Sequence, residues 1–233
     1  MNAKLDTGRV FERIFQIYRE QFTLLIPAAL VLFIPVAILN GVVLTSGGVL
    51  AALIAAAIAI IATYWFQGMV VEAARDILDG RRDHTIGSLV QSAMPVIGPL
   101  LVAGILAGIG IAIGLILLIV PGLFLLTIWS MLIPVIVLEG RSAGEAFTRS
   151  REVVRGNGWS VFGLIIITFL LVAIASAIIR LVFTPLPRFL DIWLGSLVAH
   201  SLTVPFAAAA LTTAYFKLVA QTEPASPAAV PTP

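Results

Sequence analysis

Histidine is the side chain best suited to proton or ligand chemistry near neutral pH, and this chain has two. His200 stands inside an apolar run, between Ser196 and Thr203 and five residues before Pro205. Ionisable groups at membrane depth are costly, and they face a bundle interior or a wet cavity. Pro205 removes one backbone donor and loosens the helix around it. These residues predict a small polar pocket formed by His200, Ser196 and Thr203, with Thr127 and Ser130 supplied by another span. Gln67 and Thr168 are further polar neighbours to consider, Gln67 lying nearer the other end of its span. The plainer alternative is a neutral histidine bonded to a neighbouring helix. His84, in "GRRDHT", reads as a solvated loop residue.

The carboxylates do not form a catalytic pair. Glu72, Asp76, Asp79 and Glu139 sit at span ends beside Arg75, Arg81, Arg82 and Arg141. Ion pairing is their expected role. Glu139 needs a partner arginine, because the carboxyl end of a helix favours cations. No metal-ligand spacing, nucleotide-binding motif or serine-nucleophile motif is present. The absence of cysteine excludes disulfides, thiolate zinc sites and cysteine nucleophiles. No catalytic residue, cofactor or metal is therefore expected, and neither is a nucleic-acid partner.

The elements that position these residues follow from composition. The chain is 60% hydrophobic and 11% charged over 233 residues. Soluble domains are about 45–50% apolar and about 25% charged. About 20 apolar residues cross the hydrocarbon core, and six segments meet that need. They are roughly 22–45, 48–71, 94–120, 121–138, 161–183 and 192–216. The third and fourth are joined by almost nothing and should form a tight hairpin. Gly104, Gly108, Gly110 and Gly114 space small residues along the third span, which lets helix backbones approach closely. No cleavable signal is expected at the amino terminus. The expected class is all-α: a polytopic membrane helix bundle of six transmembrane helices.

Twelve lysines and arginines fall on one side of this arrangement and two, Arg180 and Arg188, on the other. The bias predicts both termini in the cytoplasm. The Pro/Ala-rich stretch 219–233 reads as a disordered tail.

Between spans lie three similar units. Asp6-Thr-Gly8, Thr85-Ile-Gly87 and Ser142-Ala-Gly144 each place a cap-type residue two before a glycine. An apolar pair follows in each: Val10-Phe11, Leu89-Val90 and Ala146-Phe147. On a helical wheel the apolar residues of the first and third units share one arc and the charged ones the opposite arc. Arg151 is the exception, at the edge of the apolar arc. Amphipathic helices are therefore expected within 1–21, near 85–94 and over 142–157, lying in the membrane interface. Their basic residues Arg9, Arg13, Arg19, Arg149, Arg151 and Arg155 are expected to contact anionic lipid headgroups. Each unit leads into two spans, so a threefold internal repeat is expected. "LDGR" from Leu78 and "LEGR" from Leu138 echo one another just before the second and third units.

One stretch also resembles a known family. The matching elements are Pro121-Gly122, Trp129-Ser130, Pro134, Leu138-Glu139-Gly140, Glu145-Ala146, Ser150 and Arg155-Gly156-Asn157. Together they resemble the membrane domain of bacterial glycerophosphodiester phosphodiesterase and related six-span inner-membrane proteins. The resemblance implies a bacterial inner-membrane protein. In the fused enzymes the reaction belongs to a separate soluble hydrolase domain, which these 233 residues are not expected to hold.

Three functional classes result: an organising or accessory protein working through lipids or a membrane-protein partner, a transporter or lipid-handling protein with a cavity between repeats, and an integral-membrane enzyme. The first is expected. Few polar residues lie at membrane depth, which disfavours the third. A wet cavity lined by His200, Thr127 and Gln67 would favour the second.

Overall fold

The computed structural model describes residues 7–46, 48–78 and 86–222. Every regular element among them is helical: α1 (Thr7–Ser46), α2 (Val49–Leu78), α3 (Ile86–Ala93), α4 (Ile97–Leu117), α5 (Ile119–Ile128), α6 (Leu132–Glu139), α7 (Ala143–Val154), α8 (Gly158–Phe183) and α9 (Arg188–Thr222). Six stretches are long and apolar enough to cross a membrane: Leu25–Val43, Val49–Arg75, Ile97–Leu117, Ile119–Glu139, Gly158–Phe183 and Arg188–Gln221. The fold is an all-α membrane bundle.

Two apolar cores hold it. In one, Phe33 and Ala37 of α1 meet Phe66 and Met69 of α2, Leu89 of α3, and Leu197 and Val204 of α9. In the other, α6 is the centre. Val135, Ile136 and Val137 are buried in succession, so α6 is enclosed by protein on all sides. Leu100 and Ala103 of α4, Ala146 and Val153 of α7, and Ala210 and Tyr215 of α9 belong to the same core. Helices α2 and α9 contribute to both. Large apolar side chains of α8, such as Phe169 and Leu181, remain exposed, as suits a surface solvated by lipid.

The third and fourth spans form the expected hairpin. One extended residue, Leu118, separates α4 from α5. The two helices touch where a β-carbon on Gly114 would come 2.9 Å from the Gly122 Cα. The small-residue stripe does not form a single seam. Gly104 faces the Tyr64 ring of α2, Gly110 faces Trp129, and Gly108 meets nothing.

The structure differs from the sequence reading in four respects. The segment expected as a separate interfacial helix within 1–21 continues into the first span, since α1 runs unbroken for 40 residues. No glycine or proline interrupts it between Gly8 and Pro27, so nothing ends the helix. The fourth span is broken in two, at Trp129–Met131. Residues 219–222, expected in the tail, are helical, because α9 runs to Thr222. Finally, the apolar side of α7 packs on protein instead of entering the headgroup region: Ala146, Ser150, Val153 and Val154 are buried. Periodicity selects which face is buried and is silent on what buries it.

Candidate functional site

Among the described residues, polar side chains gather at the break in the fourth span and at the far end of α6. The cause of the break is local. Pro134 has no N–H, and its ring clashes with the carbonyl four residues earlier, which disfavours a regular helix through Ser130. It is tolerated in the first turn of α6. The break frees backbone groups in a place without water, where each must find a partner inside the protein.

One hydroxyl meets two of them. Ser150 of α7 donates from Oγ to the Ile128 carbonyl at 2.8 Å. The Met131 N–H donates to the same Oγ at 3.2 Å. Ser150 is fully buried. Beside it, the Trp129 ring meets Phe147 edge-on, with centroids 5.0 Å apart. Within the turn, Ser130 donates to the Thr127 carbonyl and Thr127 to the Leu123 carbonyl, each at 2.8 Å.

At the far end of α6 lies Glu139. Arg149 Nε donates to both its oxygens, at 2.8 and 3.0 Å. Arg141 Nε donates at 3.1 Å and the Tyr215 hydroxyl at 2.7 Å. Arg149 also lies 3.7 Å from Glu152. The partner arginine that Glu139 requires is thus Arg149, and the carboxylate ties α6, α7 and α9 together. Charge-assisted hydrogen bonds of this kind contribute about 1.5–3 kcal/mol each when shielded from water.

The start of α7 is fixed by the turn before it. Gly140 adopts φ +64°, a left-handed conformation that ends α6 and suits glycine. Ser142 and Glu145 then form a capping box. The Ser142 N–H and Oγ–H donate to Glu145 Oε2 at 3.1 and 2.7 Å, and the Glu145 N–H reaches back to Ser142 Oγ. The Ser142 hydroxyl, then its N–H, hold the Glu145 carboxyl below its ordinary range.

The residues expected to share a polar pocket occupy two places. His200 Nδ1 lies 2.6 Å from the Ser196 carbonyl, and its ring rests 5.3 Å from Phe33 of α1. Ser196 donates to the Trp193 carbonyl, and Thr203 to the Ala199 carbonyl. Thr127 and Ser130 belong to the break between α5 and α6. Among the described residues, no hydrogen bond of these five side chains leaves its own stretch of backbone. Physically, a serine or threonine in a helix reaches the carbonyl three or four residues back, so polarity in a span does not by itself signal a cavity. Gln67, Thr168 and Ser201 do bury oxygen atoms that have no hydrogen-bond partner among the described residues.

Of the arginines expected at lipid, Arg149 is committed to Glu139, while Arg151 and Arg155 are exposed. Arg151 lies away from the buried side of α7, which corrects its placement at the edge of the apolar arc. The side chains of Arg9, Arg13 and Arg19 lie outside the described ones, as do Asp76, Asp79, Arg81, Arg82, His84 and residues 223–233. Among the described residues, no cluster of histidines and carboxylates could hold a metal ion. Sequence reasoning about chemistry passed over Ser150 and Tyr215. Ser150 carries a signal, a hydroxyl within the apolar stripe of Ala146 and Val153. Tyr215 carries none.

Six apolar spans closed around a buried half-helix define a multi-pass membrane protein. The chain belongs to the family described as Domain of unknown function (DUF7847), which matches residues 19–219. No curated protein and no solved structure matches the chain.

Proposed function

We propose that this protein is an organising or accessory component of the bacterial cytoplasmic membrane, acting through lipids or a membrane-protein partner and catalysing no reaction. The observation that carries the reading is where the polar side chains are directed. Thr63, Thr127, Ser130, His200, Thr203, Thr212 and Thr213 all bond to backbone carbonyls of their own stretch of chain. The interhelical bonds of Ser150, Arg149 and Tyr215 tie α5, α6, α7 and α9 together. Purification from native membranes, with identification of the lipids and proteins retained, tests this. A specific retained partner or lipid class is expected, and its absence counts against the reading.

Transport or lipid handling is the second reading. It is favoured by the partnerless buried oxygens of Gln67, Thr168 and Ser201. Solute flux in reconstituted vesicles that is lost in Gln67→Leu or Ser201→Ala would establish it.

Placement of both termini in the cytoplasm rests on the twelve-to-two asymmetry of basic residues. Reporter fusions after Leu138 and Lys217 should report cytoplasm, and one near Pro187 the opposite side. A relation to the phosphodiesterase membrane domain remains a proposal carried by the motif from Pro121 to Asn157.

The internal repeat gains support from one contact made twice. Matching Leu78 with Leu138 carries Gly68 onto Ile128, and matching Gly87 with Gly144 carries Ala93 onto Ser150. Ala93 packs on Gly68, with 3.6 Å between its Cβ and a β-carbon built there. Ser150 packs on Ile128. In each case a short helix docks on the span before it at equivalent residues.

A further inference from the structure

We propose that Arg151, Arg155 and Trp159 form a headgroup site for an anionic phospholipid at the corner between α7 and α8. The proposal rests on the reading of the protein as one that works through lipids, and it names the surface.

Arg151 lies in the last turn of α7, away from Ala146, Ser150 and Val153, and Arg155, four residues on, is the exposed residue that ends the helix. Neither guanidinium has a hydrogen bond or ion pair among the described residues. The described carboxylates of the neighbourhood are already engaged. Glu139 receives Arg149, Arg141 and Tyr215, Glu145 receives Ser142, and Glu152 meets Arg149. Two cations are thus left facing outward, and a guanidinium matches a phosphate through paired N–H donors.

Trp159 supplies the second observation. It is 88% exposed although it opens an apolar span. Its ring meets Phe162 edge-on, at 6.2 Å. An indole in that position suits the membrane–water boundary, where its apolar body meets acyl chains and its N–H meets headgroups. Further along α8, Ile166, Phe169 and Leu170 are exposed. Asn157 bonds to Gln221 at 3.4 Å, which sets the corner beside the end of α9. Cations, boundary indole and apolar helix follow in the order phosphate, glycerol, acyl chain. A soluble acidic peptide would use the arginines and leave α8 unused.

Brominated lipids give the test. Full-length protein is reconstituted in phosphatidylcholine bilayers holding a small fraction of brominated phosphatidylglycerol or of brominated phosphatidylcholine. The Trp159 signal is the difference between wild type and Trp159→Phe. Brominated phosphatidylglycerol should quench it more at equal fraction. A basic residue near such a surface is worth roughly fivefold in lipid enrichment. Arg151→Gln with Arg155→Gln should abolish the preference, and Arg151→Lys with Arg155→Lys should retain most of it. Equal quenching by both lipids, or a preference that survives the double glutamine variant, overturns the proposal. If the double variant does not fold, Arg151→Gln alone decides: the preference should fall roughly fivefold, and no change overturns the site. The test uses purified protein and defined lipids. Its failure leaves the accessory reading standing, and a failed search for partners leaves this site standing.

Discussion

Ser150 closes a gap in the backbone that water would close in a soluble protein. Ser150→Ala strands the Ile128 carbonyl and the Met131 N–H in a dry site. An unsatisfied buried group costs about 1–3 kcal/mol, so a loss of that size is expected in thermal or denaturant unfolding in detergent micelles. A loss below about 0.5 kcal/mol, the scale of an ordinary surface substitution, would mean that the break is held by other means. Glu139 and Arg149 form a second tie, between α6 and α7. Glu139→Gln, Arg149→Gln and the double variant should show coupling of about 0.5–3 kcal/mol in a double-mutant cycle, since each single change removes the ion pair that the two half-buried groups share. Additivity would reduce the pair to a surface contact. The sequence revealed Glu139's need for an arginine, because its position at a helix carboxyl end is unfavourable. It could not reveal that Tyr215 joins in, since that hydroxyl arrives from 76 residues away.

At the scale of elements, α7 was legible as a helix and its surroundings were not. The Ser142–Glu145 capping box and the left-handed Gly140 are written in adjacent residues, so the start of α7 can be read directly. Which helices cover Ala146 and Val153 depends on contacts across the bundle, and the same stripe would suit lipid. The capping box also makes a pH prediction. Glu145 titrates below its ordinary range because Ser142 favours the ionised form. Its contribution is therefore present above the ordinary carboxyl range and is lost as pH falls through the lowered value. Protection of the first amides of α7 against hydrogen exchange, taken relative to the intrinsic rate at each pH, should fall on acidification. Glu145→Gln, which keeps the acceptor but cannot titrate, should flatten that response, and an unchanged response would show that the cap does not govern the end of α7.

At the scale of the whole molecule, the spans were legible because their apolar runs are long and their boundaries carry glycine, proline or arginine. The break in the fourth span was not seen, although Pro134 stood in view. A proline in a span breaks the helix or is absorbed by it, as Pro35 and Pro205 are inside α1 and α9. Which outcome occurs depends on whether a neighbour can satisfy the freed groups, and here Ser150 does. Ala93 and Ser150 are equivalent under the proposed repeat. Both are fully buried where a short helix presses on the preceding span. The second unit presses on Gly68 of the unbroken α2 and needs no hydroxyl, so alanine serves. The third presses on a break, so serine is required. Ala93→Leu and Ser150→Leu should both force the short helix outward, each costing about 1–3 kcal/mol by overpacking, with additional loss at Ser150 from the stranded backbone groups. Ala93→Ser should be nearly neutral, because its hydroxyl can bond the carbonyl of Leu89, as that of Ser92 already does. Unfolding midpoints of the three variants decide the matter. If Ala93→Leu is tolerated while Ser150→Leu is not, the two docking contacts are not equivalent, and the repeat loses its structural support.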